Sequence, residues 1–417
     1  MRVIVVALGS AGDVHPNVGL ALALKRRGHE VMLVAASVFE PLARRVGLKF
    51  RGLGTEKDYH DSVRDPDLWH PTRALSVIAR RLIIPSMREV YEIIARERQT
   101  GEIIVAASGL TFGARLAQER LQVPVASVHL QPAIFRSVVE PPVVTFPDIL
   151  GILPHALRPY FYRAADRFFI DPLLARPVND FRRDLGLAPV RRLFDLWMHS
   201  PQLVIGLFPD WFAAPQPDWP PNVHLTGFPL YDESDAREIP AELSEFLASG
   251  TAPVVFAAGS ANAQAREFFQ VSADVCRRTG WRGILLSQFP EQLPVPLPEG
   301  VRHFNYVPFS QVLPRAAAFV HHGGIGTTAQ ALAAGVPQLV RPLAHDQPDN
   351  AERVRRLGAG DILRPNQYRT ARVIECLGRL MQSPTVRVNC QRLKHVLSSS
   401  HALTHTCKLI EQLGKAN

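Results

Sequence analysis

The chain has 417 residues, which at about 150 residues per domain indicates two to three domains. Hydrophobic residues make up 47% and charged residues 20%, enough to bury a core and too apolar for a chain disordered by composition. Lys and Arg outnumber Asp and Glu by 47 to 38, and Cys276, Cys376, Cys390 and Cys407 stand far apart, which argues against a zinc site or a disulfide framework and fits a reducing compartment.

No stretch reaches the ~18 uncharged apolar residues of a membrane-spanning helix. The longest candidate, 137–157, carries Glu140, Asp148 and several prolines. The start, MRVIVVALGS, has neither the length nor the cleavage site of a signal peptide and reads as a first buried strand, so the expected location is cytoplasmic. The net charge of +9 would suit nucleic acid, a membrane surface or an anionic ligand. Its basic pairs, Arg26-Arg27, Arg44-Arg45 and Arg355-Arg356, are scattered over several predicted helices, which argues against nucleic acid.

Along the chain, 3–7 is an apolar run ending in Gly9-Ser10-Ala11-Gly12, followed by a helical pattern over 15–27 and a stop at Gly28. The run 31–36 precedes a second helix, 39–46, closed by Gly47; 102–107, a helix over 112–122 and 125–128 follow. Short apolar runs alternating with amphipathic helices predict a parallel sheet covered on both faces, a doubly wound α/β domain. Residues 57–98 are mostly helical in pattern. By contrast, 132–175 is rich in proline and aromatics, with Arg158, Arg163 and Arg167 among them, and reads as helices and loops lining a pocket mouth.

The proline-rich stretch 209–240, with an acidic cluster at 232–235, marks an interdomain linker. The alternation then restarts with 254–258, a helix over 266–278, 283–286, 301–304, 317–320, a helix near 326–334, and 338–340. A last amphipathic helix spans 402–413, with Ser399 or Ser400 as its cap. The expected organisation is an N-terminal domain over 1–225, a linker over 226–250, a C-terminal domain over 251–395 and a terminal helix over 396–417.

The densest chemical signal is Phe319-Val320-His321-His322-Gly323-Gly324-Ile325-Gly326-Thr327-Thr328. An apolar strand ends at a glycine-rich turn and a helix begins at once, so unpaired N–H groups face a backbone that a ligand can approach closely. A diphosphate fits such a turn, with His322 and the Thr327 and Thr328 hydroxyls as further donors. The plainer reading is a tight turn with a threonine cap. Pro342-Leu343-Ala344-His345-Asp346-Gln347 follows at the next strand end, and both loops fall on the carboxyl edge of the sheet, where such folds bind ligands. Asp346 and Gln347 supply an acceptor and an amide for sugar hydroxyls.

The segment from Tyr306 to Gln347, with His322, Gly324, Thr327, Gly335-Val336-Pro337, Pro342 and Asp346-Gln347 in order, resembles the donor signature of inverting, UDP-sugar-type glycosyltransferases with the GT-B fold. That resemblance implies two Rossmann-like domains, an interdomain cleft and a C-terminal helix packing back toward the N-terminal domain. It implies that His322 contacts the donor diphosphate with Gly324 and Thr327 and that Asp346 and Gln347 hold the sugar; Gly326 and Thr328, at the start of the helix, join the expected donor residues. Tyr306 stands near the place of a base-stacking tryptophan, with Val307 at the base edge and Gly259-Ser260 near the phosphates. No metal and no cofactor beyond the nucleotide sugar are expected, and no D-x-D motif is present. Gln330 replaces a glutamate that binds both ribose hydroxyls in many members, which favours a dTDP-sugar.

In the N-terminal half, Gly9-Ser10-Ala11-Gly12-Asp13-Val14-His15-Pro16 ends the first strand and lacks G-x-G-x-x-G, so a nicotinamide site is weakly supported. Gly12 is placed with the donor residues. Many family members have a histidine base three residues before this proline; here Asp13 holds that position and His15 is displaced by two. Asp13 is the expected base, with a capping role as its alternative, and His15 is the second candidate.

Asp65 to Trp69, Trp197 to Gln202 and Trp211 to Leu230 are similar to the rhamnosyltransferases of bacterial rhamnolipid synthesis. The likeness implies transfer of L-rhamnose from dTDP-L-rhamnose to the hydroxyl of a 3-(3-hydroxyalkanoyloxy)alkanoate, with the enzyme that makes that lipid as a partner. His129, Phe135, Arg136, Phe146 and Arg163 are the expected acceptor residues, the arginines meeting a carboxylate and the aromatics an acyl chain. Ordinary core packing with solvated arginines is the competing account. Alternatives are transfer to a polyketide, sterol or flavonoid-type acceptor, a non-catalytic partner subunit, and a peripheral membrane protein at the inner membrane.

Overall fold

The computed structural model of the chain describes residues 1–144 and 148–415, so Phe146 lies outside the described residues. Two compact units emerge. The first holds Met1–Leu68, Thr72–Pro229 and the C-terminal residues from His401; the second holds Trp69–Pro71 and Leu230–Ser400.

In the first unit seven strands form one parallel sheet: β1 (Arg2–Val6), β2 (Glu30–Ala36), β3 (Lys49–Leu53), β4 (Ile104–Ser108), β5 (Val125–His129), β6 (Leu203–Gly206) and β7 (Val223–Leu225). Their order is β3-β2-β1-β4-β5-β6-β7. Val3 to Val6 and Ile104 to Ala107 are all buried, because helices cover both faces. Each such Val or Ile contributes roughly 1.5–3 kcal/mol on leaving water. The chain winds away from β1 in both directions, so the loop after β1 lies at the switch point where these folds take ligands.

The helix Ala11–Arg26 starts at that loop. Ser10 caps it reciprocally with Asp13, and it ends on Lys25 and Arg26 before Gly28, whose φ of +86° closes the turn. The terminal helix Ala402–Lys415 belongs to this unit: Glu411 accepts from Arg27 at 2.6 and 2.7 Å and lies 2.8 Å from His29 Nε2. Gly414 allows the approach, since a Cβ there would stand 2.2 Å from Ile104 Cδ1.

The second unit has a six-stranded parallel sheet: β8 (Val254–Ala257), β9 (Gly283–Leu286), β10 (Val301–Phe304), β11 (Ala318–His321), β12 (Gln338–Val340) and β13 (Gly360–Ile362). The order β10-β9-β8-β11-β12-β13 puts its switch point between β8 and β11. The loops after those strands are Gly259-Ser260 and His322-Gly323-Gly324.

Three differences from the sequence expectations have physical causes. The stretch 226–250, read as a linker, contains the helix Ala241–Ala248, whose Leu243 and Phe246 pack with Val255 and Ile284 in the second core. The aromatic stretch is more regular than expected: a helical run carries on from Arg158–Ala165 through a π-turn, Asp166–Ile170, into Asp171–Asp184. The helices Thr370–Gln382 and Pro384–Ser398, not singled out from sequence, complete the second unit. All four cysteines are free and buried.

Candidate active site

In the second unit, β11 delivers His321 and His322 to a turn that ends where the helix Ile325–Ala334 begins, with Gly324 at its N-cap. Gly323 has φ +93°, and a Cβ there would meet Val340 at 2.8 Å and the Gln347 carbonyl at 3.1 Å. His321 is wholly buried. Its Nδ1 accepts the Gly323 N–H at 3.1 Å, which leaves Nε2–H to donate to Gln338 Oε1 at 3.0 Å. Burial pulls its pKa down to about 3. His321 is therefore a neutral strut that shapes the turn.

His322 projects beside it, with its pKa lowered to about 4 by desolvation. A Cβ on Gly259 would lie 3.1 Å from His322 Nε2, and one on Gly324 would lie 2.5 Å from it. The imidazole thus packs against two glycines at the first turn of a helix and bonds to the Ala257 backbone, bringing side-chain-free backbone, the N–H groups of a helix start and a neutral imidazole together. Such a cradle suits a diphosphate. Gly326, Thr327, Gly259 and Ser260 border it half-buried. Thr328, expected as a donor, is wholly buried with its hydroxyl enclosed, so its side chain is not open to a ligand.

The next loop is tied to this turn. Asp346 Oδ2 accepts from Asn350 Nδ2 at 2.6 Å, and the same Nδ2 reaches the Gly323 carbonyl at 2.9 Å. Asn350 was missed from sequence, although its spacing of four from Asp346 on one helix face was readable. Gln347, expected on the sugar, turns inward instead: it is 2% exposed, and its Oε1 accepts the Leu343 N–H at 2.8 Å, because the loop needs that acceptor to fold back. His345, between them, has φ +62° and packs edge-on against Trp69 at 5.4 Å.

Tyr306 follows β10. Its hydroxyl donates to the Asp232 carbonyl at 2.8 Å, and the Arg237 guanidinium sits 4.6 Å over its ring. One face expected to stack on a base is therefore occupied. Val307 is 3% exposed and packs in the core, leaving only its backbone for a ligand. Gln330 lies buried in the helix after the turn.

In the first unit, Asp13 stands in the first turn after β1. Ser10 N–H and Ser10 Oγ both donate to its Oδ2, at 2.8 and 3.2 Å. A Cβ on Gly9, whose φ is +128°, would fall 2.2 Å from that oxygen, so Gly9 is what lets the carboxylate sit there. Desolvation raises Asp13 to about 6 against the pull of Ser10. Tyr59, missed from sequence, lies close enough that burial first and the Asp13 charge second push its phenol up to about 12. Asp13 is thus both a capping residue and a carboxylate of raised basicity. Gly12 is exposed, and His15 sits half-buried two residues further along the helix, about 200° around the axis from Asp13.

The expected acceptor residues divide. His129 is 3% exposed and 3.0 Å from His199 Nδ1, and Phe135, 2% exposed, stacks on Trp219 at 4.6 Å and on His199 at 5.6 Å. Both close an aromatic knot and present no wall to a ligand. Burial holds His129 well below its usual pKa and takes His199 to about 4. Arg136 is also committed: it donates to the buried Asp166 at 2.7 Å, so its charge is already neutralised. Arg163 is exposed, 5.8 Å over Tyr160. Among the described residues no group of three or more His, Cys, Asp or Glu side chains is placed to hold a metal ion.

Two parallel nucleotide-fold sheets, each with a glycine-bearing loop at its switch point, define the GT-B class, and known proteins agree. Residues 3–139 match the glycosyltransferase family 28 N-terminal domain, and residues 287–413 match the erythromycin biosynthesis protein CIII-like C-terminal domain. The chain is 31% identical to O-mycaminosyltylonolide 6-deoxyallosyltransferase of Streptomyces fradiae over 441 residues, covering 99% of this chain and 97% of that one. It belongs to that glycosyltransferase family. Among solved structures, the kitacinnamycin glycosyltransferase superposes with a TM-score of 0.73 at 20% identity over 99% of this chain and 98% of that one. The glycosyltransferase VinC, in complex with dTDP, gives 0.68 at 20% identity over 100% of both. At that identity these structures speak to the fold.

Proposed function

We propose that the chain transfers L-rhamnose from dTDP-L-rhamnose, with inversion, to the hydroxyl of a 3-(3-hydroxyalkanoyloxy)alkanoate. The observation that carries the donor half is the His322 cradle, a neutral imidazole and a helix N-terminus facing two glycines at the switch point. There His322, Gly324 and the N–H groups at Gly326 and Thr327 hold the diphosphate, with Gly259 and Ser260 at its edges, and Gly12 is a further donor-binding residue. Asp346, steadied by Asn350, accepts from sugar hydroxyls. Asp13 takes the proton of the acceptor hydroxyl as its oxygen bonds to the anomeric carbon. The bond from that carbon to the diphosphate breaks, and the leaving charge develops where the cradle donors point.

A dTDP-linked 6-deoxy sugar is supported by Gln330 in place of a ribose-binding carboxylate, by the dTDP bound in VinC, and by the 6-deoxyallosyl group in the name of the Streptomyces relative. The lipid acceptor is supported by the rhamnolipid-type segments around Trp69, Trp197 and Trp211. A second reading, transfer to a polyketide or sterol-type aglycone, is favoured by that same relative, whose name makes O-mycaminosyltylonolide its acceptor. Mass spectrometry of products from dTDP-L-rhamnose with hydroxyalkanoyl lipids and aglycones side by side separates the two. Rhamnosylated lipid is the expected product; aglycone glycosides with the lipid untouched would replace the first reading by the second.

A further inference from the structure

Nine of the fourteen large apolar side chains exposed among the described residues fall between Val139 and Phe169. The densest part is the helical run that starts at Arg158. Its inner face is buried from Asp166 on, through Ile170, Leu174, Val178 and Phe181, and before that half-buried Tyr162 donates to the Ser137 carbonyl beneath it. Its outer face is apolar as well. Phe168 is 68% and Phe169 73% exposed, and Leu157, Tyr160 and Phe161 are exposed before them. A helix apolar on both faces has a partner on each. Here no described residue supplies the second one.

Charge says what that partner is. Arg163 and Arg167 are exposed and lie against Tyr160 and Phe168, each at 5.8 Å. The only acid in 149–170, Asp166, is buried and bonded to Arg136. Arg158 is not spare either, since it ties the helix start to the carbonyls of Val138, Val139 and Leu153 and so makes the patch a firm platform. The exposed charged side chains within 149–170 are therefore all cationic and lie among aromatics, on a chain of net charge +9, and the nearby exposed carboxylate, Asp218, is bonded to the Val138 N–H. Arginine heads beside phenyl rings match the boundary between anionic headgroups and acyl chains.

We infer that residues 157–169 dock the protein on a bilayer surface bearing anionic lipid, with Phe168 and Phe169 inserted and Arg163 and Arg167 at the headgroups. This docking is independent of the donor and acceptor chemistry proposed above.

Flotation of the full chain with phosphatidylglycerol-containing vesicles, against pure phosphatidylcholine vesicles, tests it. The wild type co-floats with the anionic vesicles and is released by high salt. Phe168→Ser with Phe169→Ser lowers partitioning roughly tenfold or more. Arg167→Gln lowers it about fivefold on anionic vesicles only. Unchanged thermal unfolding of the variants shows that the fold is intact. Wild-type protein that stays off the vesicles, or variants that float equally well, would overturn the inference. So would a dimer that dissociates on the double substitution without any vesicle binding, because the partner would then be a second copy of the chain.

Discussion

Replacing Asp13 with Asn should separate stability from catalysis in opposite directions. The folded chain holds the Asp13 proton more tightly than the unfolded one, with a pKa raised from 3.8 to about 6. At about 1.36 kcal/mol per pKa unit, this amounts to roughly 3 kcal/mol. The sign is destabilising: the penalty is absent below pH 3.8, grows as the pH rises to about 6, and stays constant above that. Asparagine keeps an oxygen for the Ser10 donors but not the charge, and the weakened cap returns about 1 kcal/mol of the gain. The variant is therefore expected to be more stable than the wild type by roughly 1–2 kcal/mol at pH 8, a rise of about 2–8 °C in Tm, with no gain below pH 4. Transfer should meanwhile fall by about 10²–10⁴, the usual contribution of a positioned base. Wild-type kcat/KM should decline tenfold per pH unit below about 6, and affinity for dTDP should not change. Calorimetric melts at both pH values, with initial rates, give the answer. A variant less stable at pH 8, or one that turns over like the wild type, would refute the reasoning.

Three further outcomes follow from the donor cradle. His322→Ala should weaken dTDP binding about 10- to 100-fold by titration calorimetry, since it removes a donor to a charged ligand. Because the His322 pKa is lowered to about 4, that affinity should stay level from pH 6 to 8 apart from titration of the phosphate itself. Gly259→Ala puts a Cβ 3.1 Å from the His322 ring on a backbone with φ +102°; a loss of roughly 1–3 kcal/mol in stability and a raised donor KM are expected from melts and initial rates. Asn350→Ala leaves the Gly323 carbonyl and Asp346 without a shared donor, so it should cost about 1–3 kcal/mol and raise the KM for the nucleotide sugar more than the Kd for dTDP.

What the sequence revealed and what it hid follow from the range of the interactions. Parallel strands such as Val3 to Val6 and Val254 to Ala257 are buried on both faces, so their apolar runs mark them locally, as do the glycine turns after them. The edge strand β3 alternates exposed Lys49 and Arg51 with its other residues and gives a weak signal. The helix Ala241–Ala248 was concealed by the prolines and acids before it, and only contacts with Val255 and Ile284 place it in a core. Motif order picked out His322, Asp346 and Asp13, whose chemistry is written in residue type. It could not show that Gln347 folds onto Leu343, that Arg136 is spent on Asp166, or that Phe135 stacks on Trp219, since those pairings are made only by the folded chain.

The central claim is sugar transfer from a nucleoside diphosphate by direct displacement. Its most direct test is the anomeric configuration of the product, read by NMR from the one-bond C–H coupling at the anomeric carbon after incubation of the full chain with dTDP-L-rhamnose and the lipid acceptor. The account predicts a configuration opposite to that of the donor, with dTDP released in equal amount. A retained configuration, or no dTDP released with any acceptor, would contradict it.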